Sequence, residues 1–153
     1  NNLEDLNQVI SKVNLISIND EEAYLLTKEK SLENCAHKII KKGPQYVIIK
    51  KGELGAELYS KDEKFSLPSF RVKAIDPTGA GDTFAGGLAA CLSEIRKVDF
   101  NSLKKGLILG TILASFTVEG LGTSSIEKIV KKNIIERLEI FINKNKIDLT
   151  LSI

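Results

Sequence analysis

The sequence predicts an α/β fold in which helices flank a mainly parallel sheet. Short β-branched runs, typical of buried strands, alternate with longer segments whose apolar residues recur every three or four positions, typical of amphipathic helices. The 153 residues are enough for one domain with a hydrophobic core.

The first half of the chain has the clearest alternation of strand and helix patterns. A short apolar run ends at Asn19, directly before a helical pattern, and Ser31 is a favourable N-cap for the next helix. A return strand follows a glycine-containing turn. The expected order is helix 3–10, strand 13–18, helix 20–26, helix 32–40, strand 46–49, turn 51–55 and strand 56–59.

The second half predicts two further short strands and then three helices. Residues 65–67 and 70–75 have strand-like composition, and apolar residues at helical spacing begin after Thr83. A segment at 103–118 is apolar on all sides, so we expect a buried helix there. The last helix is expected at 126–141.

Composition and charge restrict the classes of function. Hydrophobic residues make up 42% and charged residues 27%, as in ordinary globular domains, and a net charge of +2 is too small to suggest a nucleic-acid partner. No apolar run reaches transmembrane length and no signal peptide opens the chain, so we expect a cytoplasmic protein without a membrane partner. Cys35 and Cys91 lack metal-ligand spacing and are expected to be reduced core thiols.

A glycine-rich loop at residues 76–82 lies between a predicted strand and a predicted helix. The first amides of a helix have no intrahelical acceptor, and Gly79 and Gly81 let the backbone approach an anion closely. The loop is not a Walker A motif, because no Gly-Lys-Ser/Thr follows, and it lacks the third glycine of the dinucleotide fingerprint. It therefore predicts a phosphate site of another kind.

Asp82, at the end of this loop, has two interpretations. An aspartate at a helix N-terminus stabilises the helix by about 1 kcal/mol. The same carboxylate, beside amides that hold a phosphoryl group, could accept the proton of an acceptor hydroxyl. Local chemistry alone leaves both open.

Residues 76–87, Asp-Pro-Thr-Gly-Ala-Gly-Asp-Thr-Phe-Ala-Gly-Gly, resemble the C-terminal signature of the PfkB (ribokinase-like) family. The resemblance implies a ribokinase-like three-layer α/β sandwich and an ATP-dependent kinase that uses Mg²⁺ and phosphorylates a sugar or nucleoside. It implies that Asp82 is the catalytic base and that the amides of Gly79, Ala80 and Gly81 hold the γ-phosphate.

Two segments of the first half also resemble the family. Asn19 and Glu22 match its Asn-x-x-Glu segment, which organises Mg²⁺ largely through water; the alternative is an ordinary helix start. Lys50, Gly52 and Gly55 match a strand and turn that contact ATP phosphates and ribose. Lys50 could equally be a solvated strand end, and the glycines also fit an ordinary hairpin turn.

A further segment, residues 114–123, resembles the helix and loop near adenine, where Val118 and Gly122 are expected to contact the nucleotide. Relatives line the base pocket where Gly110 and Thr111 lie. In relatives the loop carbonyls, with the residues that match Asp76 and Thr78, often hold a monovalent cation, so K⁺ is a candidate ligand.

The resemblance covers only the C-terminal half of a family member. It implies that residues 1–153 are the ATP-binding and catalytic portion, without the N-terminal acceptor-binding half and lid. The closest motifs are those of the adenosine-kinase-like branch. We expect the chain alone to be inactive. An unpaired sheet edge would allow two copies to associate as a homodimer. The competing functional hypothesis is a non-catalytic nucleotide-binding module; a Rossmann oxidoreductase is disfavoured.

Overall fold

The computed structural model describes residues 2–93, 95 and 97–148, except for the side chains of residues 2 and 3. The contacts divide the chain into two compact units, Asn1–Pro68 and Ser69–Ile153. The first unit contains the sheet together with helices, whereas the elements described in the second unit are helices.

The first unit follows the predicted order of elements. Its helices and strands are α1 Asn2–Ile10, β1 Leu15–Asn19, α2 Asp20–Thr27, α3 Leu32–Ile40, β2 Tyr46–Lys50, β3 Ala56–Tyr59 and β4 Lys64–Leu67, with a 3₁₀ turn at Gly52–Leu54. The predicted N-cap is confirmed, because the Ser31 hydroxyl accepts a hydrogen bond from the Asn34 amide at 3.2 Å. The return strand is also confirmed.

The four described strands form one sheet in the order β1-β2-β3-β4. β1 and β2 are parallel, whereas the pairs β2–β3 and β3–β4 are antiparallel. This sheet is therefore mixed, where we expected a mainly parallel one. The reason is the connections: α2 and α3 carry the chain back between β1 and β2, whereas the short links after β2 and β3 allow only antiparallel pairing.

The core of the first unit lies between the sheet and its helices. Ala23 on α2 and Cys35, Ala36 and Ile39 on α3 are fully buried. They cluster with Ile10, Val47, Ile49 and Tyr59. The three central residues of β2 are buried, which explains its continuous β-branched run.

The second unit contains three described helices, α4 Ala80–Ser93, α5 Phe100–Thr117 and α6 Lys131–Asn145. α5 is largely buried, as predicted. It packs closely on α4, because a Cβ added at Gly87 would lie 2.9 Å from the Gly110 Cα atom. Glycine at these positions lets the two helix backbones approach each other.

Two predicted elements of this unit were wrong. Residues 70–75 form no strand in the described part of the chain, because no neighbouring strand pairs with them; instead the Ile75 amide donates to the Val118 carbonyl at 2.6 Å. The last helix begins at Lys131 rather than at Ile126. Val130 has extended backbone and its amide donates to the Asn133 side chain at 3.2 Å, which starts the helix there.

Both cysteines are free thiols, as expected. Cys35 is fully buried, and its sulfur lies 3.1 Å from the Thr27 hydroxyl oxygen. Cys91 is only half-buried, and this burial raises the pKa of its thiol. None of the described helices is both long enough and apolar enough to cross a lipid bilayer.

Candidate functional site

Two of the predicted site residues meet at the carboxyl edge of the parallel strands in the first unit. Asn19 is the last residue of β1 and Lys50 the last of β2, and they lie opposite each other in the register. Ligands of open α/β sheets bind beyond this edge. The structure therefore brings Asn19 and Lys50 together in a position suited to ligand binding.

Asn19 and Glu22 form a capping box at the start of α2. The Asn19 side chain accepts from the Glu22 amide at 2.7 Å, and Glu22 Oε2 accepts from the Asn19 amide at 2.8 Å. The helix-start interpretation of these residues is thus confirmed. Glu22 is exposed, and its second oxygen, Oε1, has no protein partner among the described residues, so the cap leaves an oxygen available to a hydrated cation.

The paired lysines at the end of β2 have different environments. Lys51 Nζ lies 2.8 Å from Glu57 Oε1, and both side chains are largely buried. The half-buried Lys50 makes no ion pair within the described ranges. Lys51 thus has a structural partner, whereas the Lys50 ammonium is available to an anion.

Glu57 on β3 is the centre of a small polar cluster under this turn. It accepts hydrogen bonds from Lys51 and from the Tyr59 hydroxyl, and Lys64 lies 3.7 Å away. Burial alone would raise the Glu57 pKa, but the hydrogen bonds from Lys51 and Tyr59 and the two lysine charges outweigh it and hold that pKa below its ordinary value. Burial and the hydrogen bond to Glu57 raise the pKa of Tyr59.

Gly52 and Gly55, the two glycines of the turn at 51–55, differ in the space around them. A Cβ at Gly55, where φ is +96°, would lie 2.0 Å from the Leu67 carbonyl oxygen. Only glycine fits there, whether or not a ligand binds. Gly52 is exposed and has open space around it. The hairpin interpretation therefore accounts fully for Gly55, and Gly52 is the one that a phosphate could approach.

In the second unit, the loop at residues 76–78 is attached to the end of α5. The Val118 carbonyl accepts from the amides of Ile75 and Asp76 at 2.6 and 3.2 Å. Hydrogen bonds from the Thr78 hydroxyl and from the amides of Thr78 and Gly122 hold the pKa of Asp76 below its ordinary value. Asp76 and Thr78, the residues expected near a monovalent cation, thus lie beside Val118 and Gly122, the residues expected to contact the nucleotide.

Helix α4 begins at Ala80, three residues earlier than predicted, so Asp82 lies inside its first turn. The Asp82 side chain is exposed and makes no hydrogen bond or ion pair with any described residue. The amides of Gly79, Gly81 and Asp82 have no acceptor in the described structure, whereas the Ala80 amide donates to the Pro77 carbonyl at 3.2 Å. Unpaired amides at a helix start suit a bound anion, and the unpaired carboxylate beside them is suited to accept a proton from a neighbouring hydroxyl.

Gly110 and Thr111, the residues expected to line the base pocket, lie within the packing of the second unit. A Cβ at Gly110 would be 2.7 Å from the Phe84 carbonyl oxygen of α4. Thr111 is 9% exposed. Helix packing is thus sufficient to explain Gly110, and a role in base binding stays a prediction for both residues.

Sequence reasoning missed Arg137, whose side chain joins α6 to the end of α5. Its guanidinium lies 2.8 Å from a Glu119 carboxylate oxygen, donates to the Ser115 hydroxyl at 2.9 Å, and lies 3.6 Å from the Phe116 ring centroid. The available signal was its position on the apolar stripe of Ile134, Leu138 and Phe141. A charged residue on such a stripe indicates a buried partner.

Comparisons with known proteins agree with this geometry. Residues 2–129 match the model of the pfkB family carbohydrate kinases. The inositol 3-kinase of Arabidopsis thaliana is 26% identical over 131 residues, which are 86% of this chain and 33% of that protein. The chain therefore spans about a third of the length of this relative.

Two solved structures show the same fold. The ribokinase of Thermotoga maritima is 30% identical, with a TM-score of 0.75 over 87% of this chain and 44% of its own. A ribokinase II candidate from E. coli, solved with ATP and Mg²⁺, is 27% identical, with a TM-score of 0.70 over 92% of this chain and 42% of its own. The fold is therefore ribokinase-like, and the chain belongs to the pfkB family of carbohydrate kinases.

Proposed function

We propose that the protein containing this chain transfers the γ-phosphoryl group of ATP to an alcohol oxygen of a sugar or nucleoside. The observation that carries the proposal is the first turn of α4, where unpaired amides lie beside the unpaired carboxylate of Asp82. Membership of a carbohydrate kinase family supports the same reaction class.

In this proposal Asp82 is the general base. As the acceptor oxygen bonds to the γ-phosphorus, the Asp82 carboxylate takes the hydroxyl proton, and the bond from that phosphorus to the bridging oxygen of ADP breaks. The amides of Gly79 and Gly81 hold the transferring group, together with that of Ala80 if it leaves the Pro77 carbonyl. Positioning and charge stabilisation supply most of the rate enhancement in such reactions.

Residues of the first unit are proposed to serve the triphosphate. Bound Mg²⁺ would neutralise phosphate charge. Glu22 and Asn19 would orient its water ligands through the side-chain oxygens, the free Glu22 Oε1 first among them. Such outer-sphere contacts suit a hard cation that gives up its water reluctantly. Lys50 would pair with a phosphate oxygen, and Gly52 would let the backbone approach it.

The nucleotide base is proposed to lie against the loop from Val118 to Gly122. Gly110 and Thr111 are secondary candidates for contact with the base, because both are packed against other residues of the helices. K⁺ is proposed at Asp76 and Thr78. The Asp76 carboxylate keeps its charge there, since its pKa is lowered by the hydroxyl and amides that surround it.

The acceptor contacts are proposed to come from outside this chain, which spans 33% of the inositol 3-kinase and 44% of the ribokinase that it resembles. We expect the 153-residue chain alone to bind ATP weakly and to transfer nothing. Clear phosphorylation by this chain alone would contradict that expectation.

The test uses the full-length protein with ATP, Mg²⁺ and a panel of ribose, 2-deoxyribose, fructose, myo-inositol, cytidine and adenosine. ADP formation is followed by a coupled assay, and the phosphorylated product is identified by mass spectrometry. We expect one acceptor, or a few related ones, to be phosphorylated, with activity lost in Asp82→Asn. ATP binding without any phosphorylated product would favour the alternative, a non-catalytic nucleotide-binding module in which Asp82 only stabilises α4.

A further inference from the structure

Two threonine hydroxyls connect the end of α5 to the loop before α4. Thr117, the last residue of α5, donates a hydrogen bond from its hydroxyl to the Thr83 hydroxyl oxygen at 2.9 Å. The Thr83 hydroxyl in turn donates to the Gly79 carbonyl at 3.0 Å. Thr117 is 2% exposed, so water does not compete strongly for these hydrogen bonds.

Thr83 makes two hydrogen bonds to Gly79, one from its hydroxyl and one from its amide. The Gly79 carbonyl accepts the hydrogen bond from the Thr83 amide at 2.9 Å. Thr117 acts on Gly79 through Thr83, because its own hydroxyl donates to the Thr83 hydroxyl oxygen. The carbonyl of Gly79 shares its peptide plane with the Ala80 amide, so a hydrogen bond to that carbonyl restrains the peptide that joins the loop to the first turn of α4.

Gly79 needs such support because its backbone has few internal restraints. Its φ of +79° lies in the left-handed region, where glycine has neighbouring conformations of similar energy. The Asp82 side chain contributes no restraint, since it contacts no described polar group. Within the described structure, the Thr83 hydroxyl is therefore the side-chain group that binds the Gly79 carbonyl, and the Thr117 hydroxyl holds the Thr83 hydroxyl in turn.

We infer that Thr83 and Thr117 are positioning residues, which aim the Gly79, Gly81 and Asp82 amides and the Asp82 carboxylate at the transferring phosphoryl group. The inference rests on the proposed kinase function of this loop. A purely structural role would affect stability alone. A positioning role predicts a lower kcat with little change in the KM for ATP, because a slightly misdirected group weakens the transition state more than the ground state.

Each of the two threonines is replaced in the full-length protein, once by valine and once by serine. Thr117→Val and Thr83→Val keep the side-chain shape but lose the hydroxyl, whereas Thr117→Ser and Thr83→Ser keep it. Thr27→Val is the matched control, because Thr27 is also 2% exposed and its hydroxyl donates to the Ala23 carbonyl in the first unit. This control should lose stability without losing kcat.

We expect each valine variant to lower kcat about 5- to 10-fold, the fold-change equivalent to one buried hydrogen bond, with the KM for ATP within about twofold. The serine variants should restore kcat. The double valine variant should lose less than the product of the single losses, since both hydroxyls belong to one chain of hydrogen bonds.

Hydrogen exchange of the amides at 79–83, measured by mass spectrometry without nucleotide, gives a second test that does not depend on activity. Exchange should be faster in both valine variants and unchanged in the serine variants and Thr27→Val. Wild-type exchange in Thr117→Val, or a kcat no lower than that of Thr27→Val, would overturn the inference. A wild-type protein without transferase activity would refute the proposed kinase function instead, and unchanged exchange would then also refute the inference.

Discussion

Asn19 and Glu22 each accept a hydrogen bond from the other's backbone amide, at 2.7 and 2.8 Å, and this reciprocal cap opens α2. The pair was expected either to start a helix or to organise Mg²⁺. The geometry makes the two roles compatible, because Oε2 of Glu22 serves the cap while its Oε1 has no described protein partner. The cap holds the Glu22 carboxylate at the sheet edge, about one helical turn from the end of β1.

The first prediction separates these roles with Glu22→Gln in the full-length protein. Glutamine keeps an oxygen for the Asn19 amide, as in many capping boxes, so the free energy of unfolding should change by less than about 0.5 kcal/mol. The negative charge is lost, so the Mg²⁺ concentration that gives half-maximal activity should rise several-fold. A magnesium titration at saturating ATP measures it.

The neighbouring Glu21→Gln is the control for that experiment. Glu21 is an exposed acid in the same helical turn and has no part in the capping box. It changes the net charge equally, so a general electrostatic effect would move both titrations together. If the Glu22→Gln titration coincides with that of the wild type, Glu22 has no role in metal binding.

The second prediction concerns Asp82→Asn. We expect kcat to fall by about 10²–10⁴, the usual cost of losing a general base, while the dissociation constant of ATP changes little. The fold should tolerate the change, because the Asp82 side chain makes no described hydrogen bond and its interaction with the helix dipole is worth about 0.3–1 kcal/mol. Single-turnover kinetics and calorimetric ATP binding measure the two effects. A kcat near the wild-type value would leave Asp82 as a stabiliser of α4 only.

The local signals in the sequence located much of this site. The β-branched runs predicted β1 and β2, the residue that ends β1 predicted the cap at Asn19, and the glycine-rich loop predicted the unpaired amides at the start of α4. These features depend on residues within a few positions of one another. Capping residues and buried strands are therefore readable without knowledge of the fold.

The start of α6 was wrong although a local contact from the Val130 amide to the Asn133 side chain decides it, whereas the other errors lie where a distant residue decides the structure. Residues 70–75 have strand composition, but a strand needs a partner, and the Ile75 amide donates to the Val118 carbonyl instead. Only contacts across 34 positions of the chain connect Thr117 to Thr83. In the same way, the sequence does not distinguish Lys50 from Lys51. They differ because β3 places Glu57 beside Lys51.

The third prediction compares Gly79→Ala with Gly86→Ala. At Gly79 a methyl group has room, with its nearest neighbour at 3.8 Å, but φ is +79°. Its cost is therefore backbone strain of about 1–2 kcal/mol. Gly86 lies within α4 and has open space around it, so alanine there should stabilise the protein by about 0.5–1 kcal/mol. Chemical denaturation measures both.

The two variants Gly79→Ala and Gly86→Ala should also differ in kcat. Gly79→Ala should lower kcat more than its stability loss explains, because the strain is relieved by moving the amides that we propose to hold the phosphoryl group. Gly86→Ala should retain the kcat of the wild type. Equal activities in the two variants would argue against a phosphate site at this turn.

The fourth prediction is a pH dependence of stability that originates at Glu57. Its pKa is lowered in the folded state, because the hydrogen bonds from Lys51 and Tyr59 and the lysine charges outweigh its burial. A carboxylate with a lowered folded-state pKa stabilises the protein above the unfolded-state pKa of about 4.3 and loses that contribution as the pH falls towards the folded-state value.

Glu57→Gln should therefore lower the free energy of unfolding at pH 7, by about 1–3 kcal/mol, because Lys51 stays largely buried without its charged partner. The difference from the wild type should shrink as the pH falls below about 4.3, where the wild-type carboxylate becomes protonated as well. Urea denaturation at pH 7, 5, 4 and 3 measures this. Glu63→Gln, an exposed acid on the same hairpin without a described ion pair, should show a small difference that does not vary with pH. If the Glu57→Gln difference is equally constant from pH 7 to 3, the ion pair with Lys51 does not stabilise this hairpin.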